Sequence, residues 1–358
     1  MVDKILSLAK SLIAIPSVKA DPKALQEVLT IAKNQLQDFT IEEFESNGSP
    51  SMLAYLDKKR PEKFAIILNV HLDVVPGKPE QFIPLEKNGR LYGRGAYDMK
   101  TAAAVMILLF RELAEKVQYP LGLQLVTDEE TGGEDGTGYQ IKKGVQADFV
   151  IAGENSNFAI RNEAKGILWL KINIKGITAH GAYPWLGVNA VLKASNFVQD
   201  IQKAFSIPEK DAWATTINIA KIESANETFN KVPDNAAVWL DIRYISQDRE
   251  KVLNQIREIL PRNSKIETIA DEPPAYTSKD NTYLKKLAAI IEKHTKEKTK
   301  IYGANGASDV RFYTNAGSFG VEFGVHGAGQ HSDDEWTDVP SLETYYQILK
   351  EFLQKTSR

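Results

Sequence analysis

Residues 64–73 read Phe64-Ala65-Ile66-Ile67-Leu68-Asn69-Val70-His71-Leu72-Asp73. The apolar run 64–70 predicts a β-strand, and a histidine and a carboxylate follow directly after it. Open α/β sheets bind their ligands just beyond the carboxyl ends of their strands. This stretch therefore predicts both an α/β fold and the edge of the sheet where a functional site is expected.

Helix and strand patterns alternate on both sides of this strand. Before the middle of the chain we predict a helix to about residue 15, the strand 64–70, a helix 99–117, and strands 121–127 and 149–152. After Pro273-Pro274 we predict a helix from residue 283, a strand 299–302, an apolar run 319–323 and a C-terminal helix from residue 342. This order is typical of an α/β domain.

Between residues 166 and 270 the pattern changes. It predicts a strand 168–174, a helix 189–204, strands 215–222 and 237–244, a helix 249–260 and a strand 265–269. The order βαββαβ is ferredoxin-like. We therefore predict a discontinuous catalytic domain, residues 1–164 and 272–358, with an inserted domain, residues 165–271. Apolar and polar residues alternate in its strands, which indicates a sheet exposed to solvent on one face. Such a domain has open edges that are available for pairing between subunits.

The composition excludes several classes of function. The chain has 358 residues, with 44 basic and 47 acidic side chains and a net charge of −3, so its charge favours neither nucleic acid nor an anionic membrane. It contains no cysteine, so any metal must be held by histidine and carboxylate. The first residues form an amphipathic pattern rather than a signal peptide, and the longest apolar run, 102–110, is far shorter than the ~20 residues that a bilayer requires. We expect a cytoplasmic protein that acts on small molecules.

Further polar clusters follow the other predicted strands. Asp128, Glu129 and Glu130 come directly after the strand 121–127, Glu154 follows the strand 149–152, and Asp98 opens a predicted helix. Taken alone, each of these is explained more readily as a helix cap or a solvated turn acid. Their shared placement at one edge of the sheet favours a joint site instead.

The adjacent carboxylates Glu129 and Glu130 repel each other unless a cation or a proton lies between them. With a metal present, one can bind the metal while its neighbour accepts a proton from metal-bound water, whose pKa such a metal lowers towards ~7. His71 and Asp73 suit a ligand histidine and the carboxylate that orients its ring.

Five segments together resemble the co-catalytic zinc amidohydrolases and metallopeptidases that include acetylornithine deacetylase, succinyl-diaminopimelate desuccinylase, aminoacylase and glutamate carboxypeptidase. The segments are VHLDVVP (70–76), GRGAYDMK (93–100), TDEE (127–130), GE (153–154) and HSDDE (331–335). The resemblance covers nearly the whole chain. It implies a zinc-peptidase-like α/β/α catalytic domain and an inserted ferredoxin-like domain that acts as a lid and mediates dimerisation.

The resemblance also implies a ligand set for two divalent metal ions, most readily zinc, although cobalt and manganese accept the same donors. His71 and Glu154 would hold one ion, Glu130 and His331 the other, and Asp98 would bridge both.

In the same family pattern Glu129 would be the general base that activates a hydroxide bridging the two ions, and Asp73 would orient His71. The peptide bond from Asp98 to Met99 is expected to be cis.

The chain has only five histidines, so each can be interpreted. His326 competes with His331 as a ligand, but the acids that follow His331 favour His331. His294 lies at a polar helix end and is expected to be solvated.

Three residues of the inserted domain match positions that engage the substrate in the family. His180 would reach across a homodimer interface to polarise the substrate carbonyl, while Asn230 and Arg243 would bind the substrate, with Arg243 suited to a carboxylate. A turn histidine and a surface arginine are the competing interpretations of His180 and Arg243.

Substrate choice separates the remaining hypotheses. Desuccinylases typically carry an arginine and a Gly-Thr-Ser-Asp turn where this chain has Lys165 and Ala307. Lysine lacks the planar fork of arginine, which favours a general deacylase of N-acyl amino acids or a dipeptidase over succinyl-diaminopimelate desuccinylase or acetylornithine deacetylase. Two hypotheses with different chemistry also remain, a catalytically silent small-molecule-binding homologue and an aminopeptidase with one metal.

Overall fold

The structure is a computed structural model that describes residues 1–210 and 212–356. It divides into two compact units. The main unit comprises Met1–Glu163, Tyr276–Tyr302 and Ser308–Arg358, and the inserted unit comprises Ala164–Ala275 and Gly303–Ala307. Among the described residues, no helix is both long and apolar enough to cross a membrane.

The helices are, in chain order, α1 (Val2–Ile13), α2 (Pro22–Lys33), α3 (Thr101–Leu113), α4 (Thr137–Lys142), α5 (Ala190–Ala204), α6 (Arg249–Glu258), α7 (Thr282–Thr295), α8 (Val310–Asn315) and α9 (Val339–Lys355). The strands of the first half are β1 (Thr40–Ser46), β2 (Ser49–Tyr55), β3 (Phe64–His71), β4 (Leu85–Lys87), β5 (Arg90–Tyr92), β6 (Leu121–Val126), β7 (Ala147–Ala152), β8 (Ile160–Ala164) and β9 (Gly166–Lys175). The remaining strands are β10 (Thr216–Glu223), β11 (Asn235–Tyr244), β12 (Ser264–Glu272), β13 (Ala275–Tyr276), β14 (Ile301–Ala304), β15 (Phe319–Glu322), β16 (Gly327–Ala328) and β17 (Trp336–Asp338).

The large sheet has the order β1-β2-β6-β3-β7-β15-β8-β13, with β14 beside β8. Its central strands β6, β3, β7 and β15 are parallel neighbours and are almost entirely buried, as expected for a sheet covered on both faces. Helix α3 is buried along nearly its whole length in the main core, together with α1 and α9. The α/β prediction is therefore confirmed.

A small second sheet, ordered β16-β17-β5-β4, joins two distant parts of the main unit. Trp336 of β17 pairs with Tyr92 of β5. This pairing places the loop before β17 beside the loop after β5, and both loops carry residues of the candidate site.

The inserted unit has the predicted βαββαβ order, and its antiparallel sheet is ordered β10-β11-β9-β12. One face is buried against α5 and α6 through alternate residues of β9 and β11, including Leu170, Ile172, Leu240 and Ile242. The other face carries polar and aromatic side chains, so the alternation in the sequence correctly predicted a sheet with one solvent-exposed face.

Two details differ from the predicted pattern. The helix predicted over 99–117 begins only at Thr101, because Asp98 and Met99 have non-helical backbone angles, and it ends at Leu113. In addition, residues Gly303–Ala307 group with the inserted unit, which was predicted as 165–271 alone. Gly303 lies so close to Trp213 that a Cβ atom there would be 2.4 Å from the indole ring, so a larger residue would have to displace that ring.

Candidate metal centre

Three neighbouring parallel strands deliver the first residues of the site. His71 is the last residue of β3, the turn Glu129–Thr131 follows β6, and Glu154 follows β7. Because β3 lies between β6 and β7 in parallel register, these residues leave the sheet at the same edge.

Asp98 does not follow a strand of the large sheet but lies on the turn Ala96–Lys100, which precedes α3. Its peptide bond to Met99 is cis, as the family resemblance implied. One carboxylate oxygen, Oδ1, lies 3.2 Å from Nε2 of His71, and the other, Oδ2, lies 3.3 Å from Nε2 of His331. The carboxylate therefore lies between the two histidines.

The structure brings all five residues of the expected ligand set together in two overlapping groups. His71, Asp98 and Glu154 form one group, and Asp98, Glu130 and His331 form the other, with the donor atoms of each group within 4.8 Å of one another. Nε2 of His331 lies 3.1 Å from Glu130 Oε1, and Nε2 of His71 lies 3.9 Å from Glu154 Oε1.

Asp73 has two contacts in the site. Nδ1 of His71 lies 3.1 Å from the backbone oxygen of Asp73 and 3.5 Å from its carboxylate, which fixes the ring with Nε2 directed at Asp98. The carboxylate also accepts hydrogen bonds from the backbone N–H groups of Glu129 and Glu130, at 3.3 and 3.0 Å. Sequence reasoning anticipated the first contact and missed the second, since a backbone partner leaves no mark in the sequence.

Burial and like charge dominate the electrostatics of the carboxylates. Burial, reinforced by the charge of Glu154, raises the pKa of Glu129 well above its ordinary value. Burial also raises the pKa of Glu154. Burial would raise the pKa of Asp98 too, but hydrogen bonds from His331 and His71 lower it below its ordinary range.

The pKa values of both histidines are also raised, because each lies beside carboxylates. Hydrogen bonds to Asp98 and Glu130 raise the pKa of His331 to about 10. Burial opposes protonation of His71, but its contacts with Asp73 and Asp98 raise its pKa well above the usual value. Buried carboxylates here favour positive charge, whether from protons on the histidines or from metal ions.

The donor set fits a divalent metal chemically. Imidazole nitrogen and carboxylate oxygen are ligands for zinc, cobalt and manganese, and the absence of cysteine leaves no thiolate competitor. A carboxylate shared by two histidine-containing groups suits a pair of ions.

Gln330, which the sequence did not single out, donates a hydrogen bond of 2.6 Å to Asp98 Oδ2.

In the inserted unit, His180 and Asn230 lie on two paired loops. His180 forms an isolated bridge with Lys231, and the N–H of Gly181 donates to the backbone oxygen of Asn230 at 2.7 Å. Nδ1 of His180 accepts a hydrogen bond of 3.1 Å from the backbone N–H of Ala182. A neutral ring with this contact carries its proton on Nε2, so the free nitrogen of this exposed side chain is a donor.

Arg243 lies on the solvent-exposed face of β11. Its guanidinium pairs with Asp241 at 2.9 Å, and Asp241 also accepts from Trp169 Nε1 at 2.9 Å. Arg243 lines a cavity of about 400 Å³ within the inserted unit together with Lys165 and Lys210.

The two remaining histidines lie outside both ligand groups. His326 packs against Phe158, with ring centroids 4.5 Å apart, and lines a surface groove. His294 is not simply solvated, as the sequence suggested, because its Nε2 lies 2.7 Å from Glu351. The distance from the helix end to α9 was not visible in the sequence.

Comparisons with known proteins agree with this geometry. The model of peptidase family M20/M25/M40 matches residues 67–355. A succinyl-diaminopimelate desuccinylase of Buchnera aphidicola subsp. Cinara cedri is 30% identical over 98% of this chain and 98% of its own length. The aminopeptidase PepT of Bacillus cereus superposes with a TM-score of 0.79 at 19% identity, covering 99% of this chain and 98% of that one. YxeP of Bacillus subtilis, described as a dinuclear metal-binding peptidase, superposes with a TM-score of 0.73 at 14% identity, covering 98% and 97%.

Proposed function

The chain belongs to peptidase family M20/M25/M40 and is a metallohydrolase of amide or peptide bonds, and from that premise we propose that its substrates are N-acyl amino acids or short peptides. The observation that carries the proposal is the pair of ligand groups that share Asp98, with the non-ligand carboxylate of Glu129 beside them.

We assign His71 and Glu154 to one divalent ion, Glu130 and His331 to the other, and Asp98 to both. Zinc is the ion that we propose, although cobalt and manganese suit the same donors. Such a pair of ions, when bound, supplies Lewis acidity towards the amide carbonyl and lowers the pKa of water. The dinuclear description of the B. subtilis relative supports this assignment.

Glu129 is the general base of the proposal. Its carboxylate accepts a proton from the attacking water and delivers it to the nitrogen of the leaving amine. Asp73 holds the backbone of Glu129 and fixes the ring of His71, so one side chain orients both the base and a ligand.

His180 is the proposed donor to the substrate carbonyl. Its Nε2–H is free to donate because Nδ1 is occupied by the N–H of Ala182. A donor aimed at the oxygen that gains charge in the transition state is worth ~10²–10³-fold in turnover. Asn230 and Arg243 are assigned to the substrate, with Arg243 binding a carboxylate.

We propose that the enzyme is a homodimer formed through the inserted unit and that His180 acts in the partner's site. The support is a set of large apolar side chains near His180 in sequence, with Trp185 72% exposed, Leu186 68% and Leu192 63%. Strand β10 also lies at an edge of its sheet, where a second copy can pair.

The dimer is tested by sedimentation velocity. Leu192→Glu is expected to give monomers, whereas Ile83→Glu, at a comparably exposed site in the main unit, is expected to leave the dimer intact. A wild-type monomer would contradict this part of the proposal. A cytoplasmic location, also proposed, rests on the sequence alone and is tested by cell fractionation.

Succinyl-diaminopimelate is the second candidate substrate, because relatives at 30% identity over nearly their full length are succinyl-diaminopimelate desuccinylases. Lys165 in place of the arginine typical of those enzymes argues for broader deacylase or dipeptidase activity instead.

The experiment is hydrolysis of a panel of substrates before chelation, after chelation, and after zinc is restored. The panel contains N-acetyl amino acids, N-acetylornithine, N-succinyl-diaminopimelate and dipeptides. The proposal is supported if chelation abolishes cleavage and zinc restores it. The substrate that is hydrolysed fastest then identifies the specificity of the enzyme. No cleavage of any member with zinc present would favour the catalytically silent homologue.

A further inference from the structure

A buried ion pair lies next to the ligand groups without belonging to either. Glu335 is 2% exposed and Arg94 is 3% exposed, and Arg94 Nη1 lies 2.9 Å from Glu335 Oε2. A buried charge pair is weak evidence for stability, because desolvation offsets the attraction between the charges. The position of this pair suggests a different role.

The carboxylate of Glu335 accepts four hydrogen bonds. Oε1 accepts from the backbone N–H groups of Tyr97 and Asp98, at 2.9 and 3.0 Å. Oε2 accepts from the N–H of Gly95 at 3.0 Å and from Arg94 at 2.9 Å. Three of the four donors are backbone groups of the turn that carries Asp98, so Glu335 fixes this turn directly.

The same pair reaches the loop that carries His331. Arg94 Nη2 donates to the backbone oxygen of His331 at 3.4 Å, and the N–H of Gly93 donates to the backbone oxygen of Glu335 at 3.1 Å. The backbone of His331 is itself in the left-handed region, with φ of 61°. Glu335 and Arg94 thus connect the segments of two ligands that are distant in sequence.

The other ligands do not depend on this connection. His71 ends a central strand, and Glu130 and Glu154 follow the neighbouring strands, so the large sheet positions them. Asp98 and His331 lie on turns outside that sheet. The group Asp98–Glu130–His331 therefore has two ligands held through Glu335, and the group His71–Asp98–Glu154 has one.

We propose that Glu335, acting with Arg94, is a positioning residue that sets the distance between Asp98 and His331 and thereby the affinity of the Asp98–Glu130–His331 group for its metal ion. The inference rests on the proposed two-metal function. Partners behind metal ligands typically contribute 10–100-fold to metal affinity.

The chain offers a matched control two residues away. Asp333 belongs to the same run of acids but has a 62% exposed side chain, which pairs with Lys78 at the surface. Asp333→Asn and Glu335→Gln make the same chemical change in an exposed and in a buried acid. In E335Q one carboxylate oxygen becomes an NH₂ group, so two of the four donors lose their acceptor.

The test is titration of the metal-free, full-length protein with Co²⁺, followed by the visible absorption of the bound ion and by competition with a chelator. Wild type and D333N are expected to bind about two ions with the same spectrum. E335Q is expected to keep one affinity close to wild type, to bind the other ion 10–100-fold more weakly, and to change the spectrum of that ion. Circular dichroism checks that the variant is folded.

Arg94→Lys decides the question if E335Q does not fold. It keeps the three backbone bonds to Glu335 but removes the guanidinium fork that reaches His331. We expect it to weaken the same ion, by a smaller factor. E335Q or R94K with wild-type affinities and spectrum would overturn this inference alone, whereas a wild type that binds no Co²⁺ would overturn it together with the two-metal proposal.

Discussion

Two clusters of histidine and carboxylate in the main unit differ in how their charge is balanced. At the surface, Glu351 lies 2.7 Å from His294, 2.8 Å from Lys293 and 2.7 Å from Lys355. These partners lower the pKa of Glu351 to about 2, with the hydrogen bond from Lys293 making the largest contribution. The negative charge of this single carboxylate is balanced by the neighbouring cationic side chains, so the cluster does not require a metal ion.

The proposed metal centre has the reverse balance. Asp98, Glu130 and Glu154 contact two histidines, and Glu129, whose pKa is raised by desolvation and by the charge of Glu154, adds a further carboxylate. Negative charge therefore exceeds the positive charge that the histidines supply. A histidine beside a carboxylate therefore does not by itself indicate a metal site, and the excess of carboxylates is the feature that supports the proposed one.

The largest expected effect is the loss of turnover when the proposed general base is replaced. This substitution distinguishes the base from the metal ligands. Glu129→Gln is expected to reduce turnover by ~10²–10⁴-fold while the metal content stays at the wild-type value, because the variant loses a proton acceptor but no ligand. Turnover and elemental analysis on the same preparation check this. Glu134→Gln changes an exposed acid nearby in sequence and serves as the control. Full activity in E129Q would rule out the assignment of the base.

The next effect concerns a histidine outside both clusters. His180→Ala is expected to reduce kcat by ~10²–10³-fold with unchanged metal content, because Nε2–H acts on the substrate and not on the ions. Steady-state kinetics and metal analysis measure the two quantities. Unchanged kcat would refute the role of His180.

The comparison itself is tested by removing one histidine from each cluster. His331→Ala is expected to lower the metal content from about two ions per chain to about one, since its group then has only two ligands. His294→Ala is expected to leave the metal content unchanged. Equal metal content in both variants would mean that the excess of carboxylate does not mark the metal site.

The smallest effect belongs to the surface cluster. Glu351→Gln is expected to lower the free energy of unfolding by about 1 kcal/mol or less at pH 7, because solvent screens these pairs, and to leave turnover unchanged. Since folding lowers the pKa of Glu351, its contribution is present above the ordinary value of 4.5 and is lost as the pH falls towards about 2. Urea unfolding at pH 7 and pH 3 should give a smaller difference between variant and wild type at pH 3. A constant difference would contradict the ion-pair explanation.

The sequence predicted the parts of the fold that follow from periodicity. Apolar runs predicted β3, β6 and β7. The alternation of apolar and polar residues in β9 and β11 predicted the solvent-exposed face of the inserted sheet. Two further local signals in the sequence match the structure. Asp21-Pro22 caps and begins α2, and Asn47-Gly48, both with positive φ, forms the turn between β1 and β2.

The candidate site was predictable as far as residue type and strand position determine it. The five residues of the ligand groups and Glu129 were named because they follow strands or match family segments. The contacts of Glu335 with the turn at Asp98 and the second contact of Asp73, with the backbone of Glu129 and Glu130, were not predictable, because in both cases the partners are backbone N–H groups. The family resemblance, confirmed by the match to peptidase family M20/M25/M40, does not decide between acyl groups.

The proposed mechanism depends on two divalent ions that bind to groups sharing Asp98. The most direct test is the number of zinc ions per chain in wild-type protein, measured by elemental analysis after equilibration with zinc and removal of free metal. We expect about two zinc ions per chain. One ion or none under these conditions would contradict the proposed mechanism.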